Sequence, residues 1–144
     1  KNAGLDSVVR KAVASGKPFL GICLGMQMMY EYSEEGDAEG FGILKGKVVR
    51  FPDMADLKVP QIGWNNLNIV KECAILKGIE KDPFVYFVHS YYVQADDEDS
   101  ISATVEYGVK AHVLTNKDNI FLCQFHPEKS GKTGLKMLDN FARL

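Results

Sequence analysis

The sequence predicts a single α/β domain, and three observations carry that prediction. A short apolar stretch, Pro18 to Ile22, changes period at Cys23, where a strand pattern gives way to a helical one. Phe84 to Val88 is a continuous apolar run of the kind that fills a buried strand. Amphipathic segments of helical spacing lie near both ends of the chain, with shorter strand patterns between them. With 144 residues, 46% of them hydrophobic, the chain suits one domain over 1–144, with no internal repeat or low-complexity linker.

Leu5, Val8, Val9, Ala12 and Val13 mark the face of a first helix, with Asp6 or Ser7 as its N-cap. Ser15-Gly16 closes that helix and Pro18 prevents its continuation. The apolar strand follows, and Gly21 and Gly25 flank Cys23 where a sharp strand-to-helix turn needs close backbone approach. Leu24, Met28 and Tyr32, spaced by four, predict one face of a second helix that runs out at Ser33-Glu-Glu-Gly36. Glu34, Glu35, Asp37 and Glu39 read as a solvated helix end without a role.

Short strands and turns come next, an antiparallel excursion from the α/β pattern. Lys47 to Phe51 is a strand closed by Pro52. Val59 to Asn66 is broken by proline and glycine and carries the only tryptophan, Trp64, a loop residue that reads first as a packing anchor under a surface segment and second as a contact for a partner. The Phe84–Val88 strand delivers His89-Ser90-Tyr91 at its end, and Asp96 to Asp99 forms a solvated acidic turn. Ile101 to Val105, Ala111 to Leu114 and Ile120 to Phe125 are further strands. Gly131 precedes a last helix whose apolar side is Leu135, Met137, Leu138 and Phe141.

Composition narrows the function classes. A net charge of −2 with no basic cluster argues against nucleic-acid binding. No apolar run reaches the roughly 20 residues of a membrane span. Cys23, Cys73 and Cys123 lie too far apart for a disulfide framework, which points to a reducing cytoplasm. Neither the cysteines nor the histidines have metal-ligand spacing, so no metal and no cofactor is expected.

The chemistry centres on Gly21-Ile-Cys23-Leu-Gly25, the thiol counterpart of the serine nucleophile elbow. A thiol at a helix N-terminus is expected to favour the thiolate, and the Leu24 backbone N–H is placed to stabilise an oxyanion. Such a nucleophile needs a base and a group to orient the base. His112 lies within a strand pattern and reads as a surface or edge residue, whereas His89 and His126 emerge at strand ends, where α/β active sites collect. Pro127 and Glu128 follow His126, and residues two apart in an extended segment share a side, so Glu128 can hold the imidazole. The expected triad is Cys23, His126 and Glu128.

These motifs resemble those of class I glutamine amidotransferases. The elbow Gly-x-Cys-x-Gly-x-Gln is matched at Gly21, Cys23, Gly25 and Gln27, and the base motif at His126-Pro-Glu128. Phe41–Phe51, Val59–Asn66 and His126–Ser130 are similar to a branch of that family, the glutaminase subunits of imidazole glycerol phosphate synthases. The resemblance implies an open three-layer α/β sheet and an enzyme that hydrolyses glutamine through a cysteine thioester. The ammonia would pass to a (β/α)8-barrel cyclase subunit, in a heterodimer that makes imidazole glycerol phosphate and aminoimidazole carboxamide ribotide for histidine biosynthesis. It further implies that Gln27, Ser90 and Tyr91 hold the glutamine substrate, and that Trp64 and Lys129 lie at the cyclase interface. The family also carries an N-terminal strand-helix portion with a Pro-Gly-Val-Gly-type loop that supplies a second oxyanion donor. No such loop occurs between Lys1 and Pro18, so the chain is expected to be truncated at its N-terminus. The glutaminase domain of another amidotransferase and a catalytically silent partner-binding module are the alternatives.

Overall fold

A computed structural model describes residues 3–144. Helix α1 (Ala3–Ala14) leads into β1 (Phe19–Ile22) and a single helical turn, α2 (Leu24–Gln27). The short strands β2 (Tyr32–Ser33) and β3 (Ala38–Glu39) precede β4 (Gly46–Arg50), β5 (Gln61–Asn66) and β6 (Asn68–Ile69). Then come β7 (Phe84–His89), β8 (Tyr91–Ala95), β9 (Ile101–Glu106), β10 (Lys110–Lys117) and β11 (Ile120–Cys123), and α3 (Gly131–Ala142) ends the chain.

The main sheet runs β1-β11-β10-β8-β4-β2-β3, with β9 also paired to β10 and β6 to β9; β5 and β7 form a separate antiparallel pair. Only the β1–β11 and β2–β4 pairings are parallel among the described residues, so the antiparallel excursion makes up most of the sheet. The strand period of two gives that sheet a core on each face. Along β11, Ile120 and Leu122 join Met26, Met29, Val48 and Val93 on one side, while Phe121 and Cys123 join Phe51, Phe87 and Phe125 on the other. Val9 and Val13 of α1 pack on the first core, and Met137 and Phe141 of α3 on the second. The result is the three-layer α/β arrangement expected.

Several local expectations are corrected. Helix α1 begins at Ala3, so Asp6 and Ser7 lie inside it; Asp6 pairs instead with Arg10, one turn on, at 2.6 Å. Leu5 and Val8 are exposed, leaving Val9 and Val13 as its packed side. Helix α2 stops after one turn because a following loop takes the carbonyls just beyond it: Phe41 N–H donates to Met28 O (2.8 Å) and Leu44 N–H to Met29 O (3.0 Å). Tyr32 therefore falls in β2, and Leu24 is exposed, not on a buried face. Trp64 sits on a strand, not in a loop. The Phe84–Val88 run is not buried on both sides: Val85, Phe87 and His89 point inward while Phe84 lies open. His112 occupies an interior strand between Val93 and Thr104, where its Nδ1 accepts the Ala95 N–H (3.0 Å). In α3 Leu135 is exposed and Gly134 is inward, packed so closely that any Cβ would strike the Pro127 carbonyl.

Candidate active site

The parallel pairing of β1 with β11 brings two chain segments off the sheet at the same end. Ile22 is in register with Cys123, and Cys23 N–H donates to Cys123 O (2.8 Å). The backbone then reverses at Cys23, whose φ of 54° and ψ of −110° lie where a residue with a Cβ is strained by about 1–3 kcal/mol. Its carbonyl accepts the N–H groups of Met26 (3.0 Å) and Gln27 (3.1 Å), which fixes the turn. A Cβ on Gly21 would stand 2.7 Å from Leu122 Cδ2 and 2.9 Å from Gly25 O, so this position admits only glycine. Gly25 differs from expectation: a Cβ there meets nothing within 4 Å, and it is the carbonyl of Gly25 that Gly21 makes room for.

The Cys23 thiol is half-buried, and burial pushes its pKa above the ordinary value. The Leu24 N–H and the Gln124 side-chain amide, 3.4 Å from Sγ, act in the opposite direction, while the carboxylates of Glu128 and Glu35 add to the rise. The direction is opposite to the thiolate expected at a helix end, because burial outweighs the two hydrogen-bond donors. The Leu24 N–H, expected to stabilise an oxyanion, here acts on the sulfur itself.

Cys23 opens into a cavity of about 240 Å3. All three predicted substrate residues, Gln27, Ser90 and Tyr91, line it, as do Glu35 and His89. Glu35, which the sequence marked only as part of an acidic loop, is brought to the mouth by the fold of the chain after α2. His89 is buried, and burial lowers its pKa to about 4, with the Tyr91 carbonyl opposing that shift and His126 adding to it. Its Nδ1–H donates to Tyr91 O (2.8 Å), and its Nε2 lies 2.6 Å from Gln61 Oε1. An unprotonated Nε2 is matched when the Gln61 amide turns its NH2 group to the ring.

His126 follows β11 and stands at the start of a 3-10 turn, Pro127–Lys129. Its Nδ1 is 2.8 Å from Glu128 Oε2, the contact expected, but made across that turn and not along an extended segment. Burial raises the Glu128 pKa, and the His126 hydrogen bond outweighs it with help from Lys129, so the carboxyl is held below its ordinary value. The turn is anchored on both sides: His126 N–H donates to Tyr86 O (3.0 Å), and Ser130 Oγ donates to His126 O (2.6 Å) while accepting Tyr86 N–H (3.0 Å). No hydrogen bond joins His126 to Cys23 among the described residues; the sulfur's side-chain partner is Gln124, which sequence reasoning missed. No group of three or more potential metal-ligating side chains clusters among the described residues.

Trp64 and Lys129 lie outside the cavity. Trp64 is 54% exposed and meets Tyr86 edge-on, with ring centroids 5.9 Å apart. Ile62 (62%) and Phe84 (60%) are exposed on the same face of the β5–β7 pair, too many large apolar groups for a side meant only for water. Lys129 is exposed on the adjoining turn.

Residues 3–144 match the class-I glutamine amidotransferase family, and the chain belongs to it. Within that family it is 50% identical over 142 residues to the imidazole glycerol phosphate synthase subunit HisH of Caldanaerobacter subterraneus subsp. tengcongensis, covering 98% of this chain and 69% of that protein. The HisH subunit of Methanocaldococcus jannaschii is 50% identical over 143 residues, covering 99% of this chain and 71% of its own length. The fold matches that of a glutamine amidotransferase from Thermotoga maritima with a TM-score of 0.66 and 19% identity, over 96% of this chain and 52% of the other. Among the described residues no helix is long and apolar enough to cross a membrane.

Proposed function

We propose that this chain releases ammonia from glutamine for an imidazole glycerol phosphate synthase, with Cys23 as nucleophile, His126 as acid and base, and Glu128 orienting His126. The observation that carries this reading is a strained, glycine-backed cysteine opening into a cavity of about 240 Å3 lined by Gln27, Glu35, His89, Ser90 and Tyr91. Because burial keeps the thiol protonated, attack requires a proton acceptor, and His126 serves. The sulfur adds to the side-chain amide carbon of glutamine, and the Leu24 N–H receives the developing oxyanion. His126 returns the proton to the departing ammonia, leaving a glutamyl thioester. It then takes a proton from water, which attacks the thioester and frees glutamate. Glu128 keeps Nδ1 protonated and stabilises the imidazolium formed at each step.

The cavity residues suit an amino acid. Glu35 offers the charge that an α-ammonium group needs, and Ser90 and Tyr91 offer polar groups to the other end. Both amide protons of Gln27 are committed, to Tyr91 O (3.1 Å) and Gln124 Oε1 (2.8 Å), so Gln27 meets the substrate through its oxygen. Ammonia set free in water is protonated and loses its nucleophilicity, which is why the product passes directly to a partner. That partner is a cyclase subunit seated on the face of Trp64, Ile62 and Phe84, with Lys129 at its margin.

The test is mass spectrometry after exposure to an electrophilic glutamine analogue, with a general thiol alkylator as control. Selective modification of Cys23 by the analogue is the expected result. Reaction with the general reagent alone would overturn the reading.

A further inference from the structure

The carbonyl of Tyr91 is a fixed reference for the hydrogen bonds around the nucleophile. A backbone C=O only accepts, so the Gln27 side chain, 3.1 Å away, must present its NH2 group there. The second proton of the same NH2 group then faces Gln124 at 2.8 Å, and the Gln124 atom that meets it must be the oxygen. With its oxygen occupied, Gln124 turns its own NH2 group to the Cys23 sulfur, 3.4 Å away. Gln124 is fully buried and Gln27 nearly so, so no solvent competes for these protons. The His89 Nδ1–H donates to the same carbonyl (2.8 Å), holding the reference in place from the other side.

We propose that Gln124 is a positioning residue for the Cys23 thiolate: its amide, locked in one orientation by Gln27 and the Tyr91 carbonyl, aims a donor at the sulfur when the proton leaves. This deepens the glutaminase reading and rests on it for its purpose, though not for its test. A donor is suited to this place because the carboxylates near the sulfur oppose its anion. Glu35 acts on it from the loop after α2, Glu128 from the turn after β11, where it holds His126, and Cys123 from the neighbouring strand. Gln124 and the Leu24 N–H are the donors that favour the anion against the two carboxylates.

The test uses the 144-residue chain and its Gln124→Met and Gln27→Met variants. The rate of Cys23 alkylation by iodoacetamide is followed across pH by mass spectrometry; buried Cys73 and Cys123 serve as slow internal references. A hydrogen bond to a charged group predicts that Gln124→Met moves the alkylation midpoint up by about one pH unit, a roughly tenfold loss of rate near neutral pH. Gln27→Met, which releases the lock but keeps the donor, should move it in the same direction by less. Circular dichroism confirms that each variant is folded. A folded Gln124→Met protein with an unchanged midpoint overturns the proposal; if that variant does not fold, an unchanged midpoint in Gln27→Met does so. Iodoacetamide reads the thiol and not glutamine recognition. A shifted midpoint in a chain that the glutamine analogue fails to label would therefore refute the glutaminase reading and leave the role of Gln124 standing.

Discussion

Lowering the pH should destabilise this fold through His89 before general acid unfolding sets in. Burial, with a smaller push from His126, lowers the imidazole pKa from 6.5 to about 4 in the folded protein, even though its hydrogen bond to Tyr91 O opposes that shift. A histidine whose folded pKa is depressed stabilises the fold fully above its unfolded pKa. That contribution is lost as pH falls from 6.5 toward 4, where the unfolded chain binds a proton that the folded chain refuses. Between pH 7 and about pH 4.5 the loss works out at about 2.5 kcal/mol, a large share of the stability of a small domain. Urea unfolding followed by far-ultraviolet circular dichroism at the two pH values measures it; Trp64 fluorescence is a poorer probe, since that ring is already half exposed in the native state. Other groups also respond to acid, Glu128 among them, so the comparison is with His89→Asn, which cannot titrate. That variant should start less stable at pH 7, with its Gln61 and Tyr91 contacts disturbed, yet lose about 2.5 kcal/mol less on acidification. If both proteins lose the same amount, the buried neutral imidazole is not the cause and the reasoning fails.

Other substitutions probe separate features. Cys23→Gly relieves the strain at φ 54° and should raise the unfolding free energy by about 1 kcal/mol while abolishing glutaminase turnover, both measured on the same preparation. Gly134→Ala forces a methyl group onto the Pro127 carbonyl and should cost about 3 kcal/mol, seen as a lower urea midpoint. Trp64→Ala removes a half-exposed ring, so stability should change by less than about 1 kcal/mol. If a cyclase seats on this face as proposed, its affinity should fall at least about tenfold in a calorimetric titration.

The parts of the site legible in the sequence are those fixed by neighbours in the chain. The elbow could be read from Gly21, Cys23 and Gly25 because the reversal takes place within five residues, and His126 finds Glu128 two residues away. Gln124 and Glu35 were not legible. One reaches the sulfur only because β11 lies beside β1, and the other reaches the cavity only because the loop after α2 folds back. The same loop explains the misjudged length of α2: a spacing of four at Leu24, Met28 and Tyr32 promised more turns, but carbonyls taken by Phe41 and Leu44 ended the helix. At β7 an unbroken apolar run concealed an alternation of inward and outward residues, because the outward side is apolar as well. Composition cannot separate a side chain buried in a core from one left open.

Strand β5 carries two kinds of information on opposite sides. Gln61 and Asn65 turn inward, joined to each other (3.1 Å) and, through Gln61, to His89, while Ile62 and Trp64 turn outward. Because the alternation has a period of two, the strand's length is constrained more tightly than the identity of any one residue in it. An outward position can be exchanged for another apolar residue and alter only the surface. Deleting a single residue between Gln61 and Asn66 would exchange the two sides, burying the indole where an amide belongs and delivering amides to the outer face. Homologous chains should therefore vary in composition along this strand while keeping its count, with insertions and deletions confined to the turns beyond Pro60 and Leu67.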